Sequence, residues 1–406
     1  MQKFEKHSPV VVTEVTTKHE LRQFMQYPNR LYADNPNYIP SFYGDDLSDW
    51  TPGKNPAFDY CEARCWLARR DGEIVGRIGA ILSHKANDKF GTHRMRFSQV
   101  DFVDDSEVSA ALFGTVERWA REKGCDQVHG PLGFTDMDRE GMLVEGFDRR
   151  SLFITNYNAP YYPEHLTRLG YRKDVDWIEY RITVPEPGGA EAERLHKLSE
   201  FILKRKHLHV ATVHHKSEYG PFVRQVFELV NAAYAPLYGV VELSDEQIER
   251  YANKFIPLVD PDFVCFVVDE QDQLVAFGVT ALDPSVALKH SDGRLFPFGW
   301  AGVLNDLHHS DTLIMLLTAV RPDLQTEGIN AVMMDHVCQS CNRHGVRFAE
   351  TGPMLELNDH ILAQWKRLEK EQHKRRRCFI KDLDHDVNAA NAAAAQTETP
   401  ETESAE

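Results

Sequence analysis

Residues 312–331 have the sequence TLIMLLTAVRPDLQTEGINA, and this stretch decides how the chain folds. The first nine residues are rich in Leu, Ile and Val, which predicts a buried central strand. A polar turn follows at residues 321–329, and a helix begins near Asn330. Such a turn leaves several backbone N–H groups unpaired at the positive end of the helix dipole. The stretch therefore predicts a phosphate-binding corner, with Gly328 allowing close approach to the backbone.

The sequence on either side indicates that this unit belongs to the second of two similar halves. Each half contains two apolar runs joined by a short polar turn, which predicts a β-hairpin. The runs are Trp66–Arg69 with Ile74–Leu82, and Phe263–Val268 with Leu274–Leu282. Each half then has a helical pattern that ends at a glycine, Gly124 or Gly345, which is typical of a helix C-cap. We predict an α/β fold of mixed α+β type, in which the same unit occurs twice.

The repeat also suggests where the domains lie. A cluster of Pro and Gly between residues 185 and 190 predicts a linker, which places an N-terminal domain at 12–185 and a C-terminal domain at 190–383. From Asp386 onwards the composition narrows to Ala, Asn, Thr, Glu and Pro. Because such a segment cannot bury an apolar face, we expect residues 386–406 to form a disordered tail.

Composition excludes several classes of function. The 406 residues carry 46 basic and 62 acidic side chains, a formal net charge of −16, which disfavours nucleic acid as a partner. There is no apolar run of membrane-spanning length, so we expect no membrane insertion. The seven cysteines have neither zinc-site nor disulfide-framework spacing, so we expect buried thiols, no metal and a cytoplasmic location.

Residues 320–331 resemble the acyl-CoA pyrophosphate loop of the GNAT superfamily of N-acetyltransferases. That loop has Gln or Arg, two variable residues, Gly, one variable residue, and then Gly or Ala. Gln325 and Gly328 match, whereas Glu327 and Asn330 depart from the usual basic and small residues. The resemblance implies that acetyl-CoA or another acyl-CoA binds here as co-substrate. The residues that it implies for this binding are Val320, Gln325, Thr326, Glu327, Gly328, Ile329, Asn330, Ala331 and Asn358.

Further segments extend the resemblance to residues 12–383, which are similar to a group of bacterial tandem GNAT-like proteins. Asn358 stands where an asparagine often contacts CoA in the superfamily. The Tyr that often protonates the leaving thiolate is replaced by Trp365, whose indole N–H cannot act as that acid. In the first half, residues 102–106 (FVDDS) stand at the phosphate corner. Their two aspartates suit a helix cap and repel pyrophosphate, so we expect no working CoA loop there.

Several acidic and basic residues are candidates for the chemistry. The resemblance implies a carboxylate base near the central strands, with Glu350 and Glu356 as candidates that have structural alternatives. The acidic loop 130–150 suits contact with a cationic amine, or is a solvated loop held by its own arginines. The basic run at 374–377 could hold an anion such as the 3′-phosphate of CoA, but we favour a solvated helix end.

We expect an acyl-CoA-dependent N-acyltransferase, and in particular an N-acetyltransferase, that acts on a small-molecule or peptide amine. One alternative is a GNAT-like binding or regulatory protein that lacks catalysis, which the departures at Glu327, Asn330 and Trp365 favour. Another is an aminoacyl transferase that uses charged tRNA, which the acidic net charge disfavours. The acyl group, the acceptor amine and the oligomeric state are left open.

Overall fold

The computed structural model describes residues 8–383, so the tail expected at 386–406 lies outside the described residues. The strands are β1 Val11–Glu14, β2 Cys61–Arg70, β3 Glu73–Ser83, β4 Arg94–Phe102, β5 Gln127–Gly130, β6 Met142–Glu145, β7 Arg172–Thr183, β8 His209–Val210, β9 Val264–Val268, β10 Leu274–Leu282, β11 Thr312–Val320, β12 Phe348–Thr351, β13 Met354–Leu355 and β14 Lys370–Asp382. The helices are α1 Lys18–Leu31, α2 Tyr43–Asp49, α3 His84–Phe90, α4 Ser106–Glu122, α5 Tyr162–Arg168, α6 Ala190–Lys206, α7 Gly220–Tyr234, α8 Asp245–Phe255, α9 Ser285–His290, α10 Gly299–His309, α11 Asn330–His344 and α12 Asp359–Ala363.

The two halves share one topology, as the repeated sequence pattern predicts. In the first half the antiparallel hairpin β2–β3 is followed by β4, helix α4 and a parallel strand β5. In the second half β9–β10, β11, α11 and β12 repeat this order and these pairings. Helices α4 and α11 both end at a glycine with positive φ, at Gly124 and Gly345. The mixed α/β fold, its repetition and the two helix ends are therefore confirmed.

The halves are joined by an exchange of their last strands. The sheet runs β1-β2-β3-β4-β5-β14-β7-β12-β11-β10-β9-β8, with β6 pairing to β14 and β13 to β7. Strand β7 closes the first half in sequence, yet it pairs with β12 and β13 of the second half. Strand β14 closes the second half, yet it pairs with β5 and β6 of the first. Each half thus depends on the other to complete its part of the sheet.

The basic run at 374–377 does not form a helix end, so the favoured interpretation of this segment was wrong. It lies in the middle of β14, where successive side chains point to opposite faces of the sheet. Lys374 and Arg376 are fully buried on one face, whereas Arg375 and Arg377 bind Asp176. The run is stable in a strand because carboxylates from distant segments meet it on both faces, which no local pattern reveals.

A buried ion cluster holds the exchanged strands together. The Nε atom of Arg376 lies 2.5 Å from Glu179 on β7, and Lys374 lies 3.2 Å from Glu350 on β12. Lys374 also lies 3.6 Å from Glu179. Burial alone raises the pKa of the Glu179 carboxyl, but Arg376 and Lys374 outweigh it and leave that pKa below its usual value. The cluster joins β7, β12 and β14, which come from both halves.

We predict that Arg376→Met lowers the free energy of unfolding by roughly 3–5 kcal/mol, because the buried Glu179 would keep only the longer contact with Lys374, a cation that it shares with Glu350. The matched control is Arg172→Met on the same strand pair. Arg172 forms an exposed ion pair with Asp382, and its loss should cost less than about 1 kcal/mol. Urea unfolding followed by circular dichroism measures both variants, and equal effects would contradict this account of the cluster.

Candidate active site

An opening in the sheet lies in the second half, between β11 and β12. These parallel strands pair only from Thr312 to Met315 on β11, because β12 ends at Thr351 while β11 continues to Val320. Beyond this point the two strands separate. A cleft of about 1420 Å³ lies at the separation, and Gln325, Asn330 and Asn358 are among its lining residues.

The corner at Gly328 joins a tight turn to the start of a helix. The backbone N–H groups of Ala331 and Val332 donate to the carbonyls of Gly328 and Ile329 at 2.9 Å, so these two groups are already paired. Helix α11 begins at Asn330, and Ile329 before it provides no side-chain cap, so no side-chain cap competes for the N–H groups at this end. Gly328 has a φ of 81°, and a Cβ on it would lie 3.1 Å from the Ile202 side chain of α6. Glycine is therefore required here by its backbone conformation and by close packing.

The other residues implied for CoA binding occupy different positions around this corner. Val320 and Gln325 line the cleft, and the Gln325 amide donates to the Val320 carbonyl at 3.3 Å. Ile329 and Ala331 are buried, so they position the corner, whereas Thr326 and Glu327 are exposed in the turn. Asn358 caps α12 by accepting a hydrogen bond from the backbone of Ile361 and also lines the cleft.

The acidic departure at Glu327 is neutralised by a neighbouring helix. The Glu327 carboxylate lies 2.7 Å from Lys206, the last residue of α6, and this contact lowers the pKa of Glu327. Arg205, the preceding residue of α6, lowers this pKa further. The basic group that the loop lacks is therefore supplied from α6. Sequence reasoning missed it, although the basic last turn of α6 was a visible signal.

Two carboxylates of the first half face the same cleft. Asp136 and Glu140 lie in the acidic loop after β5, and both line the cleft beside the corner. Neither side chain forms an ion pair among residues 8–383, and the hydrogen bond of the Asp136 carboxylate is to its own backbone N–H. Both side chains are more than half shielded from solvent. Burial raises the pKa of Asp136 to about 6. Burial, and then repulsion from Asp136, raises the pKa of Glu140 well above its usual value.

The residues between these carboxylates anchor the loop. One oxygen of Asp138 accepts backbone hydrogen bonds from Phe134 at 2.8 Å and Thr135 at 3.2 Å. Arg139 binds Asp46 at 2.7 Å and does not bind the loop's own acids. Anchoring residues thus separate the two cleft-facing carboxylates, which are held without being neutralised.

Two curated proteins are similar to this chain in sequence, and a solved structure is similar to it in fold. No protein-family model matches the chain. Protein YghO of Escherichia coli is 27% identical over 92% of this chain and 95% of its own length. A bacterial ceramide synthase of Caulobacter vibrioides is 28% identical over 72% of this chain and 75% of its own length. A tandem GNAT protein from the clavulanic acid biosynthesis pathway has a TM-score of 0.52 at 14% identity, covering 92% of this chain and 98% of that structure.

The chain has the tandem GNAT fold. The opening between β11 and β12 and the corner at Gly328 both lie in its second unit. Within residues 8–383, no helix combines the length and apolar character needed to cross a bilayer.

The first-half GNAT unit lacks a comparable corner. Asp105 accepts hydrogen bonds from the backbone of Glu107 at 2.8 Å and of Val108 at 3.4 Å, and its carboxylate also binds Arg70. Asp104 lies 2.9 Å from His165. A carboxylate therefore occupies the end of α4, where a pyrophosphate would have to bind.

The two predicted bases lie away from the cleft. Glu350 is 6% exposed within the buried ion cluster and also lies 3.4 Å from Arg181. Glu356 lies 2.5 Å from Lys173 and 3.3 Å from Arg375. Neither carboxylate is among the residues that line the cleft. Their catalytic role stays a prediction. Both carboxylates form ion pairs, and the cap of the next helix is Asn358 and not Glu356.

Trp365 forms part of a wall beside the cleft. It is 5% exposed, and its indole N–H donates to the Met354 sulfur at 3.2 Å. Helix α12 ends at Ala363, two residues before it. The side chain at this position is therefore a packing residue of the second-half unit.

We predict that Gly328→Val weakens CoA binding at least tenfold, because a branched side chain would strain the positive φ and displace the corner. Gly345→Val is the matched control. Gly345 also has a positive φ, 70°, but it lies at the other end of α11 with no neighbour within 4 Å of an added Cβ. Calorimetric titration with CoA measures both, and unchanged affinity in Gly328→Val would contradict this placement of the phosphates.

Proposed function

We propose that the protein is an acyl-CoA-dependent N-acyltransferase, with the acyl donor bound in the second half and the acceptor amine bound by the first. One observation carries this proposal: a single cleft is lined both by the pyrophosphate-type corner and by the unpaired carboxylates Asp136 and Glu140. A donor site and a proton acceptor are the two components that amide formation from a thioester requires.

The arrangement supports a specific course for the reaction. The phosphates of the donor bind at the turn that precedes α11, with Lys206 and Arg205 nearby, and the pantetheine arm extends between β11 and β12. The amine nitrogen attacks the thioester carbon and loses a proton to Asp136. The C–N bond forms, the C–S bond breaks, and CoA leaves as the thiolate. Because a thiol ionises far more readily than an amine, the thiolate can leave without the tyrosine that Trp365 replaces.

The arrangement of Asp136 and Glu140 suits a pair of carboxyl groups that share one proton. Both carboxyls have raised pKa values, and neighbouring carboxylates avoid ionising together. Burial raises the pKa of Asp136 to about 6, so this carboxyl is ionised near neutral pH and can accept the proton that the amine loses.

The Caulobacter relative supports an acyl transfer to nitrogen, since a ceramide synthase joins an acyl group to an amine. The second candidate is a binding or regulatory protein, favoured by the departures at Asn330 and Trp365. Thiol release measured with acyl-CoA and a panel of amines separates the two functions. CoA binding without release of thiol for any amine would favour the binding protein.

We predict that Asp136→Asn lowers kcat by about 10²–10⁴ with little change in KM for the acyl donor, because a base acts in the transition state. Glu145→Gln is the control, since Glu145 lies at the end of β6, the strand that follows the loop, and binds Arg375 at 3.2 Å. Glu350→Gln and Glu356→Gln test the bases implied by the GNAT resemblance. If kcat fell only in those two variants, the base would be Glu350 or Glu356 and not Asp136.

We also predict an acid limb in the pH profile of kcat/KM. Asp136 accepts a proton only when ionised, so the rate should fall as the pH decreases through about 6, the raised pKa of this carboxyl. Asp136→Asn should remove this limb and leave a low rate across the same range. A limb that persists unchanged in this variant would exclude Asp136 as its source.

A further inference from the structure

A second cavity, partly open to solvent, lies under α11, beside the cleft. Its walls are mainly apolar and come largely from α11, β10, β11, β12 and the segment around Trp365. Four methionines line it, Met315, Met333, Met334 and Met354. A concave, mainly apolar surface with a few polar groups is typical of a site that binds an apolar ligand.

The cavity adjoins the cleft. Tyr234, Thr318, Met354 and Gln364 are among the residues that line both spaces. Tyr234 is fixed at this junction because its hydroxyl donates to the Thr318 carbonyl at 2.8 Å. A ligand that occupies the cleft therefore has an apolar surface next to it, on the other side of the residues that the two spaces share.

An unpaired donor lies at the junction. The Nε2 atom of Gln364 is buried and has no hydrogen-bond partner among the described residues. A buried donor without a partner is unfavourable, so an acceptor from a ligand is expected at this point. A thioester carbonyl at the boundary between a CoA arm and an acyl chain is such an acceptor.

We propose that this cavity is the acyl-chain site, and that the donor carries a long, unbranched fatty acyl group whose thioester carbonyl accepts from Gln364. This inference rests on the proposed N-acyltransferase function and departs from the sequence-based expectation of acetyl-CoA. An acetyl group would leave the cavity empty. Flexible methionine side chains adapt to a chain with many conformers, and Trp365 completes the wall where the GNAT resemblance implies a catalytic tyrosine.

Varying the length of the acyl chain on CoA tests this inference directly. Calorimetric titration with CoA, acetyl-CoA, octanoyl-CoA and dodecanoyl-CoA, below micelle-forming concentrations, measures the contribution of the cavity. We expect affinity to rise about fourfold for each methylene until the cavity is filled, as for burial of a methylene in an apolar site. Equal affinities across the series, with CoA still bound, would overturn this inference and leave the proposed function standing. Absence of binding by CoA and by every acyl-CoA would overturn both.

Two variants test where the acyl chain of the donor binds. Cys338 lines the cavity but not the cleft, so Cys338→Trp should shorten the cavity and reduce dodecanoyl-CoA affinity at least tenfold, with CoA affinity unchanged. Leu198→Trp, on the solvent side of α6, is the control and should bind the series as wild type does. If thermal melting shows that Cys338→Trp is unfolded, Gly278→Leu on the β10 wall replaces it, since an added Cβ there makes only ordinary contact with Met333. Wild-type dodecanoyl-CoA affinity in a folded cavity variant would overturn the placement.

Gln364→Leu tests the carbonyl contact. It should lower kcat about 10²-fold with dodecanoyl-CoA, because a donor to the developing oxyanion is lost, and leave CoA affinity unchanged. Wild-type kcat in this variant would overturn the role of Gln364.

Discussion

The ion pair between Arg376 and Glu179 is the contact on which the arrangement of the two halves depends. Both side chains are inaccessible to solvent, and they lie on the exchanged strands β14 and β7. A charge buried this deeply is tolerated only when it is paired, so each strand requires the other at this register. The pair therefore holds the two last strands against each other at the centre of the sheet.

The exchange also determines where the acidic loop lies. This loop begins after β5 and ends at β6, and both strands pair with β14 of the second half. The chain end that completes the second unit thus ties down both ends of a first-half loop. As a result Asp136 and Glu140 line a cleft whose opposite side is the α11 corner. The first unit has lost its own phosphate corner and contributes carboxylates to its neighbour's site.

Local patterns in the sequence predict the repeated elements well, because hairpin turns, helix caps and strand composition are short-range features. The corner at Gly328 and the helix end at Gly345 belong to this class. Strand exchange involves partners about two hundred residues apart, such as Glu179 and Arg376, and no local pattern reports them. The same limit explains why residues 374–377 were assigned to a helix end, and why Glu350 looked free to act as a base. The counter-ions of both come from other strands.

The departures from the GNAT loop pattern have a common explanation in neighbouring elements. Glu327 is compatible with phosphate binding because Lys206 pairs with it, so the corner keeps a cation although its own sequence carries an acid. Trp365 contributes apolar surface where a tyrosine acid is usual, and in the proposed reaction the base lies in the first-half loop. The proposed mechanism needs no tyrosine, because its base comes from another unit and its leaving group is a thiolate. Loss of single motif residues in a tandem fold is therefore weak evidence for loss of catalysis.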